Sequence, residues 1–181
     1  MRLFVGIGLP IQVGERLAAA ASGLLPREAG NSTPIRPTAP SNMHVTLSFL
    51  GQTDPARLEA IQQGLATLHA GRLRLELNGV GVFRGILHAQ VKRSAALLTL
   101  AERVVKSMES CGFPREQRPF LPHVTVARTK ERISLSSSRE GDPAFWQHFE
   151  ADEFLLYQSL TRPEGAIYKV LKAFPLGLSA P

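Results

Sequence analysis

The sequence predicts an α+β protein built on mainly antiparallel sheet, and three observations predict it. Short apolar and alternating runs of strand length take turns with segments of helical period. Hairpin signals recur between those runs, which a doubly wound parallel sheet would not show. The order also half-repeats: a helix followed by a strand carrying His-Val-Thr occurs once in each half of the chain. The expectation is a bilobal, pseudo-symmetric arrangement. Two mainly antiparallel sheets face a central cleft with helices outside, and residues 1–181 form one domain of two similar lobes.

Taken in order, Leu3 to Leu9 is an apolar run closed by Pro10, which suits a buried strand. Ile11, Leu17, Ala21, Leu24 and Leu25 then fall at near-helical spacing. Residues 26–42 carry Pro34, Pro37, Pro40 and Gly30, the chemistry of a loop. Met43 to Leu50 reads as a strand ending at Gly51. Asp54-Pro55 starts a helix with a capping side chain and a proline at its first position, and Leu58, Ile61, Leu65 and Leu68 mark one face. Residues 72–80 alternate Leu73, Leu75 and Leu77 with polar neighbours, as a half-buried strand does. Gly79, Gly81 and Gly85 frame a turn, with Ile86 to Val91 as the return strand. Ser94 caps a helix whose apolar face is Leu97, Leu98, Ala101, Val104, Val105 and Met108, and Gly112 ends it. Residues 122–128 form another strand, residues 130–142 a polar, Ser-rich loop, and residues 154–159 and 167–174 a closing hairpin.

Composition narrows the function classes. With 44% hydrophobic and 20% charged residues over 181 positions, the chain is neither disordered nor fibrous. Its net charge of +6 favours an anionic partner such as a phosphate ester or nucleic acid. The lone Cys111 permits no internal disulfide and no cysteine-based zinc cluster, and its apolar helical context predicts a buried structural thiol. No stretch approaches the roughly 18 apolar residues that span a bilayer. Gln12, Glu15 and Arg16 interrupt the first apolar run too early for a signal-peptide core, so a cytoplasmic location is expected.

The functional signal is the pair Met43-His44-Val45-Thr46-Leu47 and Pro122-His123-Val124-Thr125-Val126. One such triplet would be a bland piece of strand; two, at matching places in the two halves, point to a shared site. Side chains alternate along a strand, so His44 projects with Thr46 and His123 with Thr125, while Val45 and Val124 face the core. Imidazole titrates near neutrality, so one ring can be protonated while the other is not, as general acid plus general base requires. Threonine hydroxyls can donate to phosphate oxygens that gain charge in a transition state. Arg128 adds a positive charge three residues after Thr125. Such chemistry needs neither metal nor cofactor.

On these residues the chain resembles the two-histidine (2H) phosphoesterase superfamily, and within it the LigT-like (ThpR-like) RNA 2′,3′-cyclic phosphodiesterases, once described as 2′-5′ RNA ligases. Residues 2–7, the runs 42–51 and 118–128 around the two triplets, Gly112-Phe113-Pro114 and the closing 156–159 and 165–168 all carry the resemblance. It implies a bilobal α+β fold and hydrolysis of an RNA or nucleotide 2′,3′-cyclic phosphate to a 2′-phosphomonoester, with His44 as proton donor and His123 as acceptor. Thr46, Thr125 and Arg128 would bind the phosphate, no metal or cofactor would be needed, no membrane would be involved, and the protein would be a monomer. Two departures bear on substrate preference. Pro37 follows Arg36 where the family often has tryptophan, and Leu121 stands where many relatives carry a basic residue.

Other features read as structural. His69 and His148 belong to the surface or helix ends, His88 to a packed strand, and Phe120 to the core, with stacking on a base as its alternative. The glycine-rich residues 79–85 miss the dinucleotide-binding spacing. Two readings compete with hydrolysis: a non-catalytic RNA- or phosphate-binding module, and a reversible 2′-5′ RNA ligase. A zinc protein using His44 and His123 lacks a ligand-spacing signal.

Overall fold

The computed structural model describes residues 1–24, 35–83, 85–128, 142–162 and 165–177. In chain order the elements are β1 (Arg2–Gly8), α1 (Ile11–Ser22), β2 (Arg36–Pro37), β3 (His44–Gln52), α2 (Leu58–Ala66), β4 (Leu73–Phe83), β5 (Ile86–Val91), α3 (Ala95–Ser110), β6 (His123–Arg128), β7 (Trp146–Ala151), β8 (Glu153–Arg162) and β9 (Gly165–Pro175). Every strand pairing is antiparallel, so the α+β class holds.

The strands run in the order β7-β4-β5-β6-β3-β1-β8-β9, with β2 added beside β6. The two sheets expected to flank a cleft are therefore two four-stranded wings joined at the middle. The joint is narrow: β3 and β6 pair at Val45 and Val124. The half-repeat in the sequence is a topological repeat, since β1-α1-β3 and β5-α3-β6 each run strand, helix, antiparallel neighbouring strand.

The apolar period of each segment decides which face it buries. Val45, Leu47, Val124 and Val126 point to one side of the joined sheet and are at most 4% exposed. They meet Leu17 of α1, Ile61 and Leu65 of α2, and Leu97, Val104 and Met108 of α3 in one continuous core. In α3 the buried stripe includes Leu100, while Leu98 and Val105 of the expected face are only partly covered. Its ends follow the sequence signals. The Leu97 amide donates to Ser94 Oγ at 3.2 Å. Gly112 takes φ +79°, a left-handed conformation that glycine adopts without strain.

Three expectations change. Asp54 does cap a helical start, but residues 55–57 form a 3₁₀ turn before α2. Strand β7 had no clear signal, because Phe149 is its one large buried side chain, and pairing with β4 creates it. Cys111 is half-buried rather than buried: its Sγ lies 3.6 Å from the Ala60 carbonyl in a shallow groove between α2 and α3. The Ser-rich loop, the turn residues 163–164 and much of the first loop lie outside the described residues. Among the described residues no helix is long and apolar enough to cross a membrane.

Helix α1 packs closely on the 3₁₀ turn Pro40–Asn42 that leads into His44. A Cβ on Gly14 would stand 2.9 Å from the Pro40 carbonyl oxygen and 3.1 Å from its Cα. Helix propensity favours alanine over glycine by up to ~1 kcal/mol, but this obstacle is backbone and cannot swing aside. Gly14→Ala is expected to lower the thermal midpoint; a rise would show that propensity wins.

Candidate active site

The two His-x-Thr strands meet where the wings join. Val45 and Val124 are opposed in an antiparallel pair and face the helices, so the residues flanking each valine face the other way. Carrying the antiparallel register one residue in each direction sets His44 beside Thr125 and Thr46 beside His123. Two imidazoles occupy one diagonal and two hydroxyls the other. All four side chains are half-buried, with access to solvent on the face away from the core. The two histidines of the repeated triplet thus share one locale, through edge pairing of the two strands.

Each imidazole is held at the same atom. His44 Nδ1 lies 2.7 Å from the Asn42 carbonyl oxygen, and His123 Nδ1 lies 2.9 Å from that of Leu121. A carbonyl only accepts, so Nδ1 must donate and Nε2 is left as the atom that titrates. The carbonyl of Leu121, not its side chain, does this work; the side chain is 63% exposed. That departure from the family pattern therefore leaves the orientation of His123 intact. Asn42 is fixed in turn, its Nδ2 donating to the Ala166 carbonyl at 2.8 Å.

Rings wall each histidine. His44 lies 4.7 Å from Phe4 and 5.0 Å from Tyr168 between centroids, with Tyr157 at 5.8 Å. His123 stands edge-on to Phe83 at 5.0 Å and to His88 at 5.5 Å. Burial pushes the pKa of His44 down to about 4, with the charges of Arg128 and His123 adding to the effect and the Asn42 hydrogen bond opposing it. Burial also lowers that of His123, again with Arg128 contributing. Burial, then the charge of Glu153, raises the Tyr157 phenol to about 12, so it stays protonated.

Arg128 reaches the site: its Nη2 donates to Thr125 Oγ1 at 3.5 Å, a long contact. Directly opposite it in the β2–β6 pair is Arg36. Neither has a carboxylate partner among the described residues. Like charges placed opposite each other destabilise a sheet, so an anion between them would relieve the strain. Arg36 was visible in the sequence, but a two-residue strand gives no periodic signal. Phe49, in register with Phe4 and 67% exposed, extends the aromatic floor beyond Thr46. His69 and His148 are remote surface residues and Phe120 packs against the core, as expected. His88 is packed too, but against His123. Among the described residues no cluster of three or more His, Cys, Asp or Glu is arranged to hold a metal ion.

Comparison with known proteins follows from this geometry. The 2′-5′ RNA ligase superfamily matches residues 27–159, and the chain belongs to that family. A relative from Thermus thermophilus, named RNA 2′,3′-cyclic phosphodiesterase, is 30% identical over 97% of this chain and 90% of its own length. One from Archaeoglobus fulgidus with the same name is 28% identical over 96% of this chain and 99% of its own. Among solved structures, Escherichia coli LigT complexed with 3′-AMP superposes with a TM-score of 0.82 at 25% identity, covering 98% of both chains.

The buried histidines make stability depend on pH. A histidine whose folded pKa lies below its unfolded value binds fewer protons folded than unfolded between the two values. Stability is then complete above about 6.5 and is lost as pH falls towards about 4. The denaturant midpoint is expected to drop over that window, and less steeply in His44→Phe. An unchanged slope in the variant would show that His44 is not the group responsible.

Proposed function

We propose that this protein hydrolyses the 2′,3′-cyclic phosphate of an RNA 3′ end or nucleotide to a 2′-phosphomonoester, by general acid–base catalysis with two histidines. The observation that carries the proposal is the Val45–Val124 pair, which brings both His-x-Thr triplets to one face. The names of the full-length relatives support the substrate class. The two lobes act together as one catalytic domain, since each contributes half the groups.

In the proposed reaction, water attacks phosphorus in line with the 3′ oxygen. His123 Nε2 takes a proton from that water as the new P–O bond forms. The bond from phosphorus to the 3′ oxygen breaks, and protonated His44 gives its Nε2 proton to the departing oxygen. One water is consumed, the phosphate stays on the 2′ oxygen, and exchange with solvent resets both rings. Thr46, Thr125 and Arg128, with Arg36 behind it, hold the phosphate and stabilise the charge that builds on its oxygens. No step calls on a metal or a cofactor.

The electrostatics set a condition on this assignment. Burial depresses His44 strongly, so in the free protein His44 is neutral at pH 7. The bound phosphate anion restores its proton, because a nearby negative charge favours the imidazolium form. Since kcat/KM reads the free enzyme, its pH profile is expected to be a bell with both limbs on the acid side of about 6.5. The kcat profile, which reads the complex, should shift upward.

Turnover of a defined RNA with a cyclic end, with the product's phosphate position determined, tests the reading. His44→Ala and His123→Ala are each expected to lose ~10²–10⁴-fold in turnover, the usual scale for a general acid or base. Activity should persist in the presence of chelators. Substantial turnover in both alanine variants would refute the assignment, and salt-sensitive RNA binding without hydrolysis would favour a binding module. The family's ligase name supports one further reading. Attack by a 5′ hydroxyl in place of water, with the same 3′ oxygen leaving, would form a 2′-5′ linkage, and the same assay supplied with a 5′-hydroxyl RNA reads it.

A further inference from the structure

We infer that His88 and Gln90 form a base-recognition subsite: a neutral hydrogen-bonding pair beside His123 and Thr125 that contacts the nucleobase of the substrate. The inference rests on the proposed function and deepens it by locating the specificity determinant.

Register places the pair. Along β5 and β6, His88 is opposite Thr125 and Gln90 is opposite His123, so both share the site face. On the next strand Gly81 lies opposite His88. A Cβ there would come within 2.8 Å of His88 Cε1, 2.9 Å of its Nε2 and 3.1 Å of Gln90 Nε2. Any larger residue at that position would displace both side chains. The other wing differs. Its matching positions on β1, opposite Thr46 and His44, are Gly6 and Gly8, which carry no functional group. The topological repeat is therefore broken at the two positions that flank the reacting groups, and in one wing only.

The His88 ring is wedged between Phe83, tilted at 4.6 Å, and His123, edge-on at 5.5 Å. Its Nδ1 is buried in the protein, so Nε2, beside the gap at Gly81 and close to the Gln90 carboxamide, is the nitrogen left to meet a ligand. Burial and the neighbouring His123 hold its pKa at about 4, so the ring is neutral near pH 7.

The chemistry of the ligand narrows what such a pair recognises. Phosphate oxygens are met by hydroxyls and by Arg128. In a 2′,3′-cyclic phosphate the 2′ and 3′ oxygens are tied up in the ester. Beyond the 5′ and ring oxygens, which are the same in every nucleotide, the neutral hydrogen-bonding edge is the base, and a carboxamide with an imidazole offers the donors and acceptors to read one.

The test compares kcat/KM on the four nucleoside 2′,3′-cyclic phosphates with that on glycerol 1,2-cyclic phosphate, which keeps the five-membered ester and lacks a base. His88→Phe and Gln90→Leu should each lower the preferred nucleotide about 2- to 10-fold, the worth of one hydrogen bond. Both should flatten the ranking among bases, and Gln90→Leu should leave the glycerol ester unchanged. Gln90→Leu leaves the ring cluster untouched, and His88→Phe should melt no lower than the parent. An equal loss on both substrate types, or no loss on either, overturns the inference. If the parent protein turns over neither substrate, the proposed function itself fails. Calorimetric binding of a nucleoside 2′-monophosphate against inorganic phosphate then reads the subsite alone: weaker nucleotide binding in the variants sustains it, and unchanged binding sinks it.

Discussion

The site depends on one backbone pairing. Val45 and Val124 are the residues through which β3 and β6 touch, and everything on the reactive face is set by the alternation on either side of them. Because both valines are fully buried, a slip of one residue in either strand would turn an imidazole into the core and a valine into the site. Burial thus specifies the register, and the register specifies the chemistry. Helix α1, wedged on the turn before His44, and the Asn42–Ala166 hydrogen bond add local anchors to the same strand.

A second theme is the cost of placing histidines in such surroundings. Each candidate catalytic ring is packed between rings and tied at Nδ1 to a carbonyl two residues back. That fixes which nitrogen titrates, and it also removes water that would stabilise the charged form. The depressed proton affinities of His44 and His123 follow from that packing. An anionic ligand is the natural counterweight, supplying negative charge beside the two rings. The opposed Arg36 and Arg128 carry the same message from the cationic side.

The two wings are alike in topology and unlike in lining. Around His44 the walls are Phe4, Tyr157 and Tyr168 over a glycine strand; around His123 they are Phe83, His88 and Gln90. A symmetric scaffold suits a reaction that needs an acid and a base on opposite sides of one phosphorus. The asymmetric lining suits a substrate whose two ends differ.

Much was legible in the residues themselves. Period-2 alternation marked β4, helical period and caps marked α3, and the repeated His-x-Thr triplets marked the pair of strands that matter, because these signals are local and depend only on backbone geometry. Residues 146–151 were not legible: only Phe149 and Ala151 mark a buried face, too few to show a period, and they become a strand by pairing with β4. The family match bears out the family that the sequence resembles. What only the tertiary structure decided is adjacency: that β3 and β6 join edge to edge, that Arg36 lands opposite Arg128, and that His88 rests on His123. Sequence carries the direction in which a side chain points along its own strand. Which strand lies beside it is settled by long-range burial and hydrogen bonding, and no local pattern encodes that.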